Sequence, residues 1–178
     1  MRPCTFSCDI IFGMSRSEKG FTLIEMVTLI VIIAILSFVF ITKFSFLQSK
    51  LTAAKVKLMS DMRYAQSLAI SRGQTFGLEF NPATETYSLY ESTPATKIKD
   101  PLDPATDFIV NYSTSRAFKG VDIVSANFDG SVRLEFDWKG VPHSGGGGGL
   151  SSEGTVVLQG GTNSATVRVA TETGRIFH

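Results

Sequence analysis

The sequence predicts an α+β protein: one long N-terminal helix, apolar in its first half and amphipathic in its second, packed on an antiparallel β-rich C-terminal domain. Three observations predict it. Phe21 to Ile41 is a block of 21 residues containing 15 of the Phe, Leu, Ile and Val set. Apolar residues then recur at helical spacing as far as Ala69. From Thr75 onward, short runs of β-branched and aromatic residues alternate with turn-forming clusters. The 178 residues carry 17 Lys and Arg against 16 Asp and Glu, and 43% are hydrophobic. That balance excludes a disordered tail and a polybasic nucleic-acid arm.

Energetically, the apolar block should insert into a bilayer. Its 15 strongly apolar residues contribute about −7 kcal/mol on an insertion scale, against about +3 kcal/mol for Glu25 even at the bilayer centre. Nine of the 21 are Ile or Val, which favour strand in water, but hydrocarbon offers no partner for bare amides and imposes a helix. Over 21–41 that helix is about 31 Å long, one bilayer core. Arg2, Arg16 and Lys19 precede it and Lys43, Lys50, Lys55, Lys57 and Arg63 follow, so charge alone leaves its orientation open. No A-x-A pattern follows Ile41, unlike an ordinary cleaved secretory signal.

Glu25 is the exception within the block, since an ionisable residue in a spanning segment is costly and marks a functional position. One reading is the interfacial carboxylate of a signal anchor. The other starts from its neighbours, Lys19-Gly20-Phe21-Thr22-Leu23-Ile24-Glu25. This string resembles the prepilin peptidase signature of type IV pilins and type II secretion pseudopilins. The resemblance implies a leader, 1–20, cut by prepilin peptidase between Gly20 and Phe21, N-methylation of Phe21, and pairing of Glu25 with the Phe21 amine of a neighbouring subunit. A carboxylate on an adjacent helix would neutralise that amine in apolar surroundings and fix the axial register. Contact within one chain is also open, because positions four apart share a helix face.

Loss of 1–20 leaves 14 basic and 14 acidic residues and removes both cysteines, Cys4 and Cys8. A mature chain without a disulfide is compatible with export. Met14 is an alternative start, with a seven-residue leader.

Segment 42–72 continues the helix into the domain. Leu47, Leu51, Ala54, Leu58, Met62, Ala65 and Ala69 are spaced by three or four and form one stripe. Lys50, Lys55, Lys57, Asp61 and Arg63 fall mostly off it, and Gly73 supplies a C-cap. Unbroken, the helix would run through 52 residues, 21–72, about 78 Å. This division resembles the pilin architecture, with one departure: many pilins carry a proline where the helix leaves the membrane, and here the stretch reads Ile41-Thr42-Lys43.

The β-rich domain occupies 73–178. Strands are expected at Thr75 to Phe80, Tyr87 to Glu91, Phe108 to Ser113, Val121 to Ser125, Val132 to Trp138, Thr155 to Gln159 and Ala165 to Thr171. Asn81-Pro82-Ala83-Thr84-Glu85-Thr86 joins the first two, and Asp129-Gly130 is a turn signal. Alternation of Val132, Leu134, Phe136 and Trp138 predicts one buried face. Thr93 to Asp107, with three prolines and five charges, reads as a solvated connector. Val141 to Gly154, with glycine throughout Gly145 to Gly149, reads as a mobile loop.

The order Phe136, Gly140, a strand from Thr155, a strand from Ala165, then Gly174-Arg175-Ile176 resembles the GspH/FimT group of minor pseudopilins and minor pilins. That resemblance implies a subunit at or near the tip of a type II secretion pseudopilus or type IV pilus. Its implied partners are other pilin subunits, the prepilin peptidase, an inner-membrane assembly platform, the lipid bilayer and secreted cargo. It places the chain in the bacterial inner membrane as a single-pass protein, N-terminus cytoplasmic and β-domain periplasmic. Some FimT-like minor pilins bind DNA through a terminal Gly-Arg-x-Arg motif. Here Arg175 supplies the first arginine and Phe177 replaces the second, so DNA binding through Arg168 and Arg175 is the alternative reading.

No cofactor, metal or catalytic group is expected. The glycine run lacks the lysine and following helix of a phosphate loop. His143 and His178 have no metal-ligand spacing. Glu135 and Asp137 would share a strand face without implying a cleft. Asp100, Asp103 and Asp107 lack the spacing of a calcium loop. A membrane-anchored periplasmic enzyme is the second alternative.

Overall fold

A computed structural model describes residues 22–178, with side chains undescribed at 38–45. The Gly20–Phe21 processing site, the leader, both cysteines and Met14 lie outside the described residues. The chain divides into two compact units, Met1–Phe40 and Ile41–His178.

Helix α1 (Leu23–Arg72) starts two residues later than the sequence predicts. Thr22 explains the start: its Oγ1 accepts the Glu25 N–H at 3.3 Å and its carbonyl accepts the N–H groups of Glu25 and Met26. This is an N-cap, which satisfies donors that a helix leaves bare. In the first unit every described side chain over 22–37 is exposed. The expected span, 21–41, begins and ends beyond those side chains, and about 24 Å of helix falls short of a bilayer core. Among the described residues no helix is long and apolar enough to cross a membrane.

In the second unit α1 buries the expected stripe. Leu51, Ala54, Leu58, Met62, Ala65 and Ala69 are buried and Leu47 is half-buried. The helix ends at Gly73, φ +66°, whose N–H donates to the Ala69 carbonyl at 3.0 Å.

Nine strands follow: β1 (Phe76–Asn81), β2 (Thr86–Glu91), β3 (Ile109–Asn111), β4 (Val121–Asn127), β5 (Arg133–Phe136), β6 (Pro142–Ser144), β7 (Gly154–Gly160), β8 (Asn163–Val169) and β9 (Ile176–Phe177). They form two sheets, ordered β3-β2-β1-β5-β6 and β4-β7-β8-β9, with every neighbouring pair antiparallel. One core joins the helix stripe to both sheets, and the Phe80 and Phe128 rings meet at 5.8 Å within it. Each fully buried Leu or Phe contributes about 1.5–3 kcal/mol to it.

Asp129-Gly130 is the expected turn, with φ +52° and +85°, and β4 and β5 on either side of it enter different sheets. Three sequence expectations are corrected. The buried face of β5 comprises only Leu134 and Phe136, while Val132 and Trp138 are exposed. The strand stops there because Asp137 Oδ1 accepts the N–H groups of Lys139 and Val141, at 2.9 and 2.8 Å, and bends the chain. Asp137 therefore lies past the strand and shares no strand face with Glu135. Finally, the 141–154 segment is built rather than loose: β6 pairs with β5, Leu150 is buried, and Arg133 clasps Gly145 through its backbone carbonyl and its guanidinium.

Candidate functional site

Glu25 sits in the first turn of α1, three residues after the capping Thr22. A carboxylate there is favoured by the positive end of the helix dipole. Thr28 Oγ1 folds back onto the Ile24 carbonyl at 2.7 Å, so that hydroxyl leaves no unpaired donor. Around the carboxylate, Leu23, Ile24, Met26, Val27 and Leu29 are all exposed, and no other charged residue lies within 22–37. Glu25 is thus the one charged side chain on the exposed helix over 22–37.

A second surface runs along α1 in the β-domain unit. Phe46, Ser49, Ala53, Val56, Ser60, Arg63, Ser67 and Ile70 are exposed, spaced three and four apart throughout. The small Ser49, Ala53, Ser60 and Ser67 are interspersed there with the larger Phe46, Val56, Arg63 and Ile70, a seam whose pattern leaves room for another helix between the large side chains. The sequence reading followed the buried stripe and missed this one; its signal is the heptad spacing on the opposite face.

Behind that seam, Asp61 is buried against the sheet, which corrects its place off the stripe. Its Oδ1 takes the Lys57 ammonium at 2.7 Å and its Oδ2 takes the Tyr87 hydroxyl at 2.6 Å. Burial nevertheless holds the Asp61 carboxyl above the usual carboxylate range. Burial also pushes the Tyr87 and Tyr112 hydroxyls up, and Tyr112 donates to the Ala54 carbonyl at 3.2 Å. The network fixes the rotation of α1 on the sheet and leaves its other face outward.

The C-terminal motif assembles around the same helix. Gln66 Nε2 donates to the Gly140 carbonyl at 2.8 Å and to the Thr173 carbonyl at 3.3 Å, tying the β5–β6 and β8–β9 connections to α1. Gly174, φ +62°, has no room for a Cβ, which would lie 2.6 Å from the Gly140 carbonyl oxygen and 3.2 Å from the Phe136 ring. Phe136, Gly140 and Gly174 are thus one packing unit. Arg63 adds a bond from its guanidinium to the Ile176 carbonyl at 3.1 Å.

Arg168 and Arg175 are both exposed on the β8–β9 side. Arg168 faces Glu153 at 3.5 Å and Arg175 stacks over Phe177 at 5.2 Å. Each already has a partner that structure alone accounts for, and Glu153 offsets one of the two charges that a nucleic acid would need. His143 Nε2 faces Asp137 Oδ2 at 3.5 Å without hydrogen-bond geometry. Asp100 and Asp103 cap their own turns, and Asp107 pairs with Lys99 at 2.8 Å. Among the described residues, no group of three or more His, Cys, Asp or Glu could hold a metal.

Comparison with known proteins follows this geometry. The family model described as "Type II transport protein GspH" matches residues 56–174. That stretch holds the last third of α1, strands β1 to β8 and the Phe136–Gly140–Gly174 unit. The fold resembles the type IV minor pilin FimU of Pseudomonas aeruginosa, TM-score 0.51, at 15% identity over 73% of this chain and 88% of that one. It also resembles the minor pseudopilin EpsH of the Vibrio cholerae type II secretion system, TM-score 0.51, at 13% identity over 72% of this chain and 94% of that one. At such identities the likeness is one of fold. No curated protein sequence matches the chain. A family match over 119 of its 178 residues establishes that the chain belongs to the GspH family of type II transport proteins.

Proposed function

We propose that the chain is a minor subunit at or near the tip of a type II secretion pseudopilus, a structural component rather than an enzyme. Its precursor is anchored in the inner membrane by 21–41, with 1–20 in the cytoplasm and the β-domain in the periplasm. Prepilin peptidase cuts between Gly20 and Phe21, and Phe21 is N-methylated. An assembly platform then draws the helix from the lipid into a short filament, where the β-domain meets other minor subunits or cargo.

The observation that carries this reading is the helix over 22–37, apolar on every side and exposed throughout. A helix apolar all round requires lipid or protein around it. Glu25, its single charge, aligns it by pairing with the Phe21 amine of the neighbouring subunit. The exposed seam from Phe46 to Ile70 then packs on an adjacent helix.

Mass spectrometry of the membrane-purified protein tests the processing step: Phe21 is expected as a methylated N-terminus. Glu25→Ala is expected to keep membrane insertion and block filament incorporation. Retention of residues 1–20 on the assembled protein overturns the reading.

A further inference from the structure

β8 pairs with β7 along its whole length, from Gly154↔Val169 to Gly160↔Asn163. On its other side β9 covers only Arg168 and Val169. In an antiparallel ladder the N–H and C=O of one residue point to the same edge, and successive residues alternate. Two observations settle which residues face the uncovered edge. Gly160 and Asn163 close the β7–β8 hairpin around Gly161-Thr162, which commits Asn163, Ala165 and Val167 to β7. Ala170 turns the other way: its N–H donates to the Arg175 carbonyl at 3.0 Å and its carbonyl accepts the Gly174 N–H at 3.1 Å. Arg168, Thr166 and Ser164 share that alternation. The backbone groups of Thr166 and Ser164 therefore open onto a groove of about 510 Å³ between β8 and Lys55 of α1, bounded by Phe177 and His178.

The groove has the form of a missing strand. Five residues of β8, 163–167, remain uncovered, which is about 16 Å of edge. Its lining includes one cation, Lys55, that enters no ion pair among the described residues, and a second, Arg168, that Glu153 offsets in part, across 3.5 Å with both side chains about half exposed.

We propose that this groove receives an extended acidic segment of a neighbouring subunit, added antiparallel to β8 in line with β9. Main-chain bonds to Ser164 and Thr166 supply the pairing, and carboxylates on the incoming strand meet Lys55 and Arg168. The neighbouring subunit as its source rests on the filament reading above, because the groove runs beside the helix that packs there. The strand-accepting edge does not depend on it.

Amide hydrogen exchange of the full chain in detergent micelles, with a blocked Thr-Glu-Val-Glu-Thr peptide as probe, tests the inference. Without peptide, Ser164 and Thr166 exchange fast and Ala165 and Val167 slowly. The acidic peptide is expected to slow Ser164 and Thr166 by at least about tenfold, and a Thr-Lys-Val-Lys-Thr peptide is expected to have no effect. Lys55→Glu is expected to remove the response to the acidic peptide and create one to the basic peptide. Absence of protection overturns the proposal. So does protection that appears in Lys55→Ala without peptide and grows with protein concentration, because Lys55 would then only guard the edge against another copy. Displacement of the peptide by duplex DNA overturns it in favour of a nucleic-acid surface. Because binding is read on unassembled chain, failed processing at Phe21 would overturn the filament reading and leave this result interpretable.

Discussion

The side-chain amide of Gln66 lies 2.8 Å from the carbonyl oxygen of Gly140, and this single bond fastens the helix to a connection 74 residues further along the chain. Gly174 approaches from the other side, so close that a Cβ there would lie 2.5 Å from the same Gln66 nitrogen. The helix, the five-stranded sheet and the four-stranded sheet meet at this point. Its disruption should therefore loosen all three.

Gly174→Ala is expected to destabilise the protein by about 2–4 kcal/mol, from the left-handed backbone and the steric conflict combined. Gln66→Ala is expected to lose about 1–2 kcal/mol, since the carbonyl of the buried Gly140 loses its donor. Urea unfolding measures both. The pair should be non-additive, because a Cβ at Gly174 would meet the Gln66 side chain that the second substitution removes.

Stability should depend on pH through Asp61. Burial raises its carboxyl in the folded protein, so the folded state holds this proton more tightly than the unfolded chain. The associated stabilisation is complete below the unfolded value of about 3.9 and is lost as pH rises through the folded one. The stability of the wild type relative to Asp61→Asn should therefore fall as pH rises from about 4 towards 7. Tyr87→Phe removes a bond that favours the ionised form, which should carry the loss to higher pH. At neutral pH it should also cost about 1.5–3 kcal/mol.

Asp129 should act in the opposite sense. Its carboxylate accepts the Ser151 N–H at 2.5 Å and the Ser152 hydroxyl at 2.8 Å, and these bonds hold it below the usual carboxylate range. Its contribution is present above the unfolded value and lost as pH falls through the folded one. Acid unfolding of Asp129→Asn should accordingly show a shallower decline than wild type in that range.

Val56 lies in the exposed helix seam with 58% of its surface open. Val56→Glu is expected to leave folding stability within about 0.5 kcal/mol while reducing filament incorporation by about tenfold or more, because packing another helix on it would bury a charge. Thermal unfolding and a filament co-purification assay separate the two effects.

Asp61 and the glycine run show where a linear reading stops. Asp61 is polar and falls off the apolar stripe, so spacing places it away from the core. Its burial is set by Tyr87, a partner 26 positions away. Gly145 to Gly149 reads as a free linker, yet Arg133 holds its start and β6 precedes it. The helix stripe and seven strands were legible because a side-chain period repeats within a few residues. The short strands β6 and β9 lie outside any such run, whereas the three residues of β3 sit inside the apolar run that starts at Phe108.

By itself the sequence determined the helix, its division into an apolar and an amphipathic half, the run of strands and the motif that places Glu25 four residues after Phe21. All of these are local patterns, written in spacing and in the burial preferences of single residues. The tertiary structure decided the parting of β4 and β5 into different sheets, the burial of Asp61, the meeting of Gln66 with Gly140 and Gly174, and the uncovered edge of β8. Those depend on which distant segments come together, and pairing across 50 or 100 residues is chosen by the fit of whole surfaces, which no short window of sequence contains.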